Sequence, residues 1–337
     1  MFLEKVLFGG VRVSVSKKTR RTLVVKDLMQ NQKNLSWEEA AEKFIDSMKI
    51  KGLAYHTRRW HSENLKAVVK VLRLKEYPTE PAFVTEAIVK DVVLTLVNGG
   101  LSPTTVNHRV RSLKQFYQFL VSESLVDKDP TVKLERKKTK GTVIQAFTEE
   151  QLNALLAAPN KNRFVGLRDY TIMLLLLDTG ERLSELVNNK LTDLKLADNE
   201  LVILHGKGDK YRRVFVSPRT RDTLKKYLRA RGDISGNPYV FVNYENSPMC
   251  GRNVQQRLTY YGKKARLEGV RVSPHTFRHT FAKMYITRGG DPFSLQALLG
   301  HTTLDMVKHY VHLWGSDLQK MHRKFSPVDN LNRPFER

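Results

Sequence analysis

The chain has 337 residues, 41% of them hydrophobic and 27% charged, with a formal net charge of +24 and one cysteine. That length predicts two domains, each large enough to bury a core, and there is no run of eighteen apolar residues to span a bilayer. The lone Cys250 excludes an internal disulfide and any multi-cysteine metal site, which places the chain in a reducing cytoplasm.

So large a basic excess cannot be neutralised internally, and a polyanion is the expected partner. The excess is shared evenly. Residues 1–146 carry 27 basic and 15 acidic side chains, and the remainder 31 and 19, so each part holds +12 and each is expected to touch the polyanion.

The opening "MFLEKVLFGGVRVSV" does not have the basic-then-apolar order of a secretory signal. Residues 1–35 read as a basic arm or as a hairpin in which Val11, Val13 and Val15 pair across a basic tip with Leu23, Val24 and Val25. From Ser36 the pattern is helical: Ser36 and Glu39 form a capping box, Ala40, Phe44, Ile45 and Met48 repeat at helical spacing, and Gly52 ends the run. Amphipathic helices follow at 54–73, 84–98 and 102–123. The last has Ser102 as cap, Pro103 in the first turn and an apolar stripe of Val106, Val110, Leu113, Phe116, Tyr117 and Leu120. Its other face carries His108, Arg109, Arg111 and Lys114, which suits a helix lying along phosphates.

Residues 127–147 lack a helical stripe and carry a basic run from Lys133 that includes Lys137, Lys138 and Lys140. They form the expected linker, placed to cross a duplex backbone. A helical domain at 36–126 precedes it, and a mainly helical domain at 148–326 follows, opened by Thr148 as cap and ending before a tail at 327–337. Within the second domain, Ile172 to Leu177 is a buried helix, and "LVIL" and "RVFV" are short strands flanking the glycine-containing "HGKGDKY".

Four segments carry chemistry. In "DTGERLSELV", Gly180 stops a helix and Arg182 starts the next, where a guanidinium can fork toward one phosphate. In "HGKGDKYRRV", Lys207 projects from a strand end between two glycines. In "PHTFRHT", His275 and Arg278 are three apart on one helical face. The His275 and His279 pair has metal-ligand spacing, but Thr276 stands where a zinc hydrolase needs glutamate and Arg278 lies inside the pair, so a metal is not expected. The fourth segment, "LGHTTLDMVKHY", joins His301 to Tyr310.

These motifs, in this order, resemble the tyrosine site-specific recombinases, the phage integrase and Xer-like family, over residues 36–325. The resemblance implies a mostly α fold with a small β-sheet: a helical core-binding domain and a mixed α/β catalytic domain, forming a C-shaped clamp around DNA. It implies Arg182, Lys207, His275, Arg278, His301 and the nucleophile Tyr310 as catalytic residues, with Glu185 supporting. It also implies cleavage through a 3′-phosphotyrosine without metal, ATP or other cofactor. The partners it implies are double-stranded DNA and sister protomers: a homotetramer on two sites, a monomer or weak dimer when free, and an accessory DNA-bending protein as an optional further partner. The tail helix with Leu318, Met321 and Phe325 is expected to be exchanged between protomers. A type IB topoisomerase-like nicking and resealing enzyme and a catalytically silent DNA-binding protein are the alternatives. Glu181 departs from the family pattern, and an outward orientation is expected for it.

Overall fold

The computed structural model describes residues 3–8, 11–16, 35–137, 145–204, 211–233 and 236–300, and the single residues 307, 322, 326 and 328. Lys138, Lys140, Lys207, His301, Tyr310 and the tail helix lie outside them. The chain divides into two compact units, Met1–Thr142 and Val143–Arg337.

Two strands open the first unit, β1 (Leu3–Phe8) and β2 (Val11–Ser16), paired antiparallel with Phe8 opposite Val11. Leu23, Val24 and Val25, expected to pair with the Val11 to Val15 run across a basic tip, lie outside the described residues. The partner of the Val11 to Val15 run is the segment before it, two residues away, so the ladder closes at the lowest loop-closure cost.

Four helices then pack together: α1 (Trp37–Ile50), α2 (Tyr55–Leu74), α3 (Glu86–Asn98) and α4 (Pro103–Ser122). Local chemistry fixes their starts. The Ser36 capping box is formed in full, Thr85 caps α3, and Ser102 caps α4 ahead of Pro103. The stripe predicted on α4 is buried in every member, and Phe116 stands 5.0 Å from Trp37 and 5.7 Å from Phe44, ring centre to ring centre. An aromatic cluster at that spacing contributes more than its buried area alone. Leu134, from the stretch expected as linker, joins this core.

The second unit is built around α6 (Phe164–Thr179), whose apolar run from Ile172 to Leu176 is wholly buried. Helices α8 (Pro218–Arg231) and α10 (Pro274–Thr287) pack against it. Around these lie α5 (Glu149–Ala157), α7 (Leu183–Asn188), α9 (Gly251–Lys264) and α11 (Pro292–Leu299). An antiparallel sheet completes the unit, in the order β3 (Leu194–Lys195), β4 (Glu200–Ile203), β5 (Arg212–Phe215). Sequence reading anticipated β4 and β5 but not β3, whose two residues are too few to show a period. Phe147 is buried in this unit's core, and its backbone N–H donates to Thr280 Oγ1 at 2.9 Å, which ties the entry of the unit to α10. Among the described residues, no helix is long and apolar enough to cross a membrane.

Candidate active site

Helix α6 ends where the sequence said it would. Gly180 takes the left-handed conformation at φ +61°, which a residue without Cβ adopts at no steric cost. The chain turns and Arg182 becomes the N-cap of α7, its backbone N–H donating to Glu185 Oε2 at 2.7 Å.

The arginine side chain then doubles back. Arg182 Nη1 donates to Glu185 Oε1 at 2.8 Å and Nη2 to the Gly300 carbonyl at 3.2 Å. Arg278, on the second turn of α10, donates from Nη1 to the Gly180 carbonyl and from Nη2 to the Leu299 carbonyl, both at 2.7 Å. Two guanidinium groups from distant parts of the chain therefore settle on the consecutive carbonyls of Leu299 and Gly300, at the C-terminal end of α11. That end carries the negative pole of the helix dipole, which favours cations there. Gly300 adopts φ +62°, and the chain passes from it directly to His301.

His275 sits in the first turn of α10 and is brought to the same place. Burial first, then the charges of Arg278, Arg271 and Arg182, hold its imidazole below the ordinary histidine range. Among the described residues no three histidine, cysteine, aspartate or glutamate side chains are grouped to hold a metal ion.

Glu185 is the anionic centre of the cluster, its side chain 1% exposed. Besides Arg182 it accepts from Arg212, Nη1 to Oε1 at 2.9 Å and Nη2 to Oε2 at 2.7 Å. Burial works to raise its pKa, but the hydrogen bonds and charge of Arg212, and then the backbone and side-chain hydrogen bonds of Arg182, outweigh it and hold the carboxyl below its usual range. Sequence reasoning passed over Arg212. The signal was there in the alternation of β5: Arg212 shares a face with buried Val214, while Arg213 and Phe215 are exposed.

Glu181 does not point outward. It is fully buried, Oε2 accepting from Asn189 Nδ2 at 2.9 Å and Oε1 finding no partner among the described residues. Burial, reinforced by Glu185 and opposed by Asn189 and Arg212, pushes its carboxyl up to about 8. Neutral at pH 7, it can sit beside the arginine without competing for it, which is why the inward orientation is tolerated.

The candidate DNA-contacting residues of the first unit divide. His108 and Arg111 are exposed on α4, Arg111 lying 5.9 Å over the Trp60 ring. Lys114 reaches the Val132 carbonyl at 3.4 Å. Arg109 instead turns inward to Asn64 Oδ1 on α2. Lys137 has an exposed side chain on a backbone clamped to Asn107, its N–H donating to Oδ1 at 2.8 Å and its carbonyl accepting from Nδ2 at 2.9 Å.

Two family models match: the phage integrase family over residues 145–315, and the phage integrase N-terminal SAM-like domain over residues 41–124. Tyrosine recombinase XerC of Bacillus pumilus is 30% identical over 326 residues, 93% of this chain and 98% of that protein. Tyrosine recombinase XerD of Lacticaseibacillus casei is 31% identical over 281 residues, 82% and 94% of the respective chains. Among solved structures, the fold resembles XerH site-specific recombinase bound to a palindromic difH substrate, with TM-score 0.68, 19% identity and coverage of 94% and 90%. It also resembles a lambda integrase dimer bound to a COC′ core site, with TM-score 0.68, 15% identity and coverage of 89% of each chain.

Proposed function

Since the chain belongs to the phage integrase family of tyrosine recombinases, we propose that Arg182, Arg278, His275, His301, Lys207 and Tyr310 carry out its strand cleavage and joining, with Glu185 in support. The chain is a site-specific DNA recombinase. Its named relatives are recombinases too, which favours neither the topoisomerase-like nor the silent alternative.

The observation that supports these roles best is the convergence of Arg182 and Arg278 on adjacent carbonyls, beside His275 and immediately before His301. A phosphodiester repels nucleophiles by its own charge. Two fixed guanidinium groups neutralise its non-bridging oxygens and the further charge of the pentacoordinate transition state. His275, whose charged form is disfavoured by burial first and then by its cationic neighbours, can accept the phenolic proton of Tyr310. The phenolate oxygen then bonds to phosphorus and the bond to the 5′-oxygen breaks, that oxygen taking a proton from Lys207. A 3′-phosphotyrosine conserves the phosphodiester, so a 5′-hydroxyl of a second duplex can displace the tyrosine without ATP.

Residues 36–126 then form the core-binding domain, 148–326 the catalytic domain, and 127–147 a basic connection. The exposed His108, Arg111 and Lys137, together with Lys114, Lys138 and Lys140, contact the DNA backbone. Exchange of strands takes four protomers on two sites, in the cytoplasm and, in a prokaryotic host, at the nucleoid.

The test is covalent trapping on a nicked suicide duplex drawn from sequences that the full-length protein selects. Wild type gives a DNA-linked peptide containing Tyr310, and Tyr310→Phe binds the same duplex but gives no adduct. A linked peptide containing Tyr260 or Tyr261 overturns the assignment.

A further inference from the structure

Arg212 is a largely buried cation whose charge is tied to a buried carboxylate. It opens β5 on the inward face, and its side chain is 10% exposed against 27% for that of Arg182. All three of its nitrogens are engaged: Nε donates to the Leu298 carbonyl at 2.9 Å, and Nη1 and Nη2 form a two-pronged bond to Glu185. Its forked Nη pair faces the buried Glu185 carboxylate rather than neutral carbonyls, so its charge is directed into the interior and not at the reacting atoms.

Its position nonetheless joins three segments of the site. Through Glu185 it meets the turn that holds Arg182; through the Leu298 carbonyl it meets the end of α11; and in sequence it stands five residues after Lys207. The contact with α11 is close: a Cβ on Gly300 would lie 3.0 Å from Arg212 Nη1 and 3.1 Å from Cδ. The turn that leads to His301 rests on this guanidinium.

Charge decides what the arrangement does. Glu185 Oε1 accepts from both Arg182 Nη1 and Arg212 Nη1, so one carboxylate is shared between two guanidinium groups and one positive charge is left over. Arg212 is spent in the interior, and the surplus is expressed on the more exposed Arg182. Without Arg212, the buried carboxylate has Arg182 alone as its counter-ion, in surroundings where a contact pair attracts far more strongly than in water. Arg182 is then neutralised and drawn inward.

We propose that Arg212 is a positioning residue for strand cleavage: by sharing Glu185 with Arg182, it leaves Arg182 the charge with which it meets the scissile phosphate. The inference rests on the recombinase reading above, and its signature is a rescue. Removing Arg212 harms cleavage because Glu185 remains charged, so removing the charge of Glu185 as well must restore part of the rate.

Single-turnover cleavage of the selected suicide duplex is measured for wild type, Arg212→Gln and the double variant Arg212→Gln with Glu185→Gln, alongside melting and single-site binding for each. Arg212→Gln is expected to bind within about threefold of wild type and to cleave roughly 100-fold slower, the scale of losing one transition-state donor. The double variant is expected to recover about tenfold, since coupled neighbours are not additive. Should Arg212→Gln fail to fold, Arg212→Lys is read by the same criterion, slower than wild type and accelerated by adding Glu185→Gln. Wild-type cleavage by the single variant, or a double variant no faster than the single, overturns the proposal. Failure of wild type to form any adduct overturns the recombinase reading instead.

Discussion

Arg278 and Gly180, 98 residues apart, are joined by a 2.7 Å hydrogen bond from Nη1 to the glycine carbonyl. The glycine is held as firmly as the arginine. A Cβ at position 180 would lie 2.6 Å from Phe281 Cδ1 and 2.8 Å from Leu299 Cδ2, and Leu299 supplies the other carbonyl that Arg278 bonds. Gly180→Ala therefore strains a left-handed residue and displaces both acceptors. We expect a loss of about 1–3 kcal/mol in stability, read by thermal melting, and a fall in cleavage rate larger than the fall in DNA affinity. A variant that cleaves at the wild-type rate would separate Arg278 from catalysis.

Lys207→Ala is expected to slow cleavage of an ordinary duplex by about 10²-fold or more, the usual scale of general acid catalysis. A duplex with sulfur at the bridging 5′ position has a leaving group that needs no proton, and on it the variant should approach wild type. Equal defects on both substrates would leave Lys207 with only a phosphate-holding role.

Glu181 gives the protein a pH signature of its own. Its folded pKa of about 8 lies above the ordinary carboxylate value of 4.5, so between these limits the folded state holds a proton that the unfolded state has released. Stability from this group is complete below pH 4.5 and is lost as pH rises through about 8. Glu181→Gln keeps the bond to Asn189 and removes the titration. At pH 9 its melting temperature should exceed that of wild type by about 4 °C or more, at roughly 2–4 °C per kcal/mol for a domain of this size, with the gap narrowing toward pH 5. Parallel pH curves for the two proteins would place the ionised carboxylate in the native state after all.

Arg109 and Arg111 lie two residues apart on α4 and should fail in different ways. Arg109→Ala leaves the buried Asn64 Oδ1 without its donor, which costs about 1–3 kcal/mol of stability. Arg111→Ala should leave melting unchanged, weaken binding evenly across DNA sequences and reduce the slope of log K against log salt by about 1. Melting curves and salt titrations of binding distinguish the two.

The order of elements was legible because local chemistry sets it. Ser36, Ser102 and Thr148 announce their helices, Gly180 announces a stop, and the α4 stripe declares its buried face. Arg182, His275 and Arg278 could be singled out by motif and spacing. Their geometry could not, because the carbonyls that hold the two arginines lie on a helix some twenty to more than a hundred residues further along the chain. Glu181 was misread for a related reason. A charged residue in a turn defaults to solvent, and only the tertiary structure supplies Asn189 and enough burial to keep the carboxyl protonated. Arg212 was missed because the chain is rich in surface arginine, although the alternation of β5 distinguished it from Arg213.

The carbonyls at Leu299 and Gly300 also set a time at which the enzyme can exist. Arg182 and Arg278 take their final places only when the end of α11 is there to receive them, so the order in which the ribosome makes the chain governs when cleavage becomes available. A nascent chain through residue 290 holds most of the basic surface, both arginines and the Gly180 carbonyl that Arg278 bonds, yet lacks the Leu299 and Gly300 acceptors that complete their placement. Contacts this distant in sequence form late in folding, after the local helices. A partly made chain can therefore bind DNA well before it can cut it.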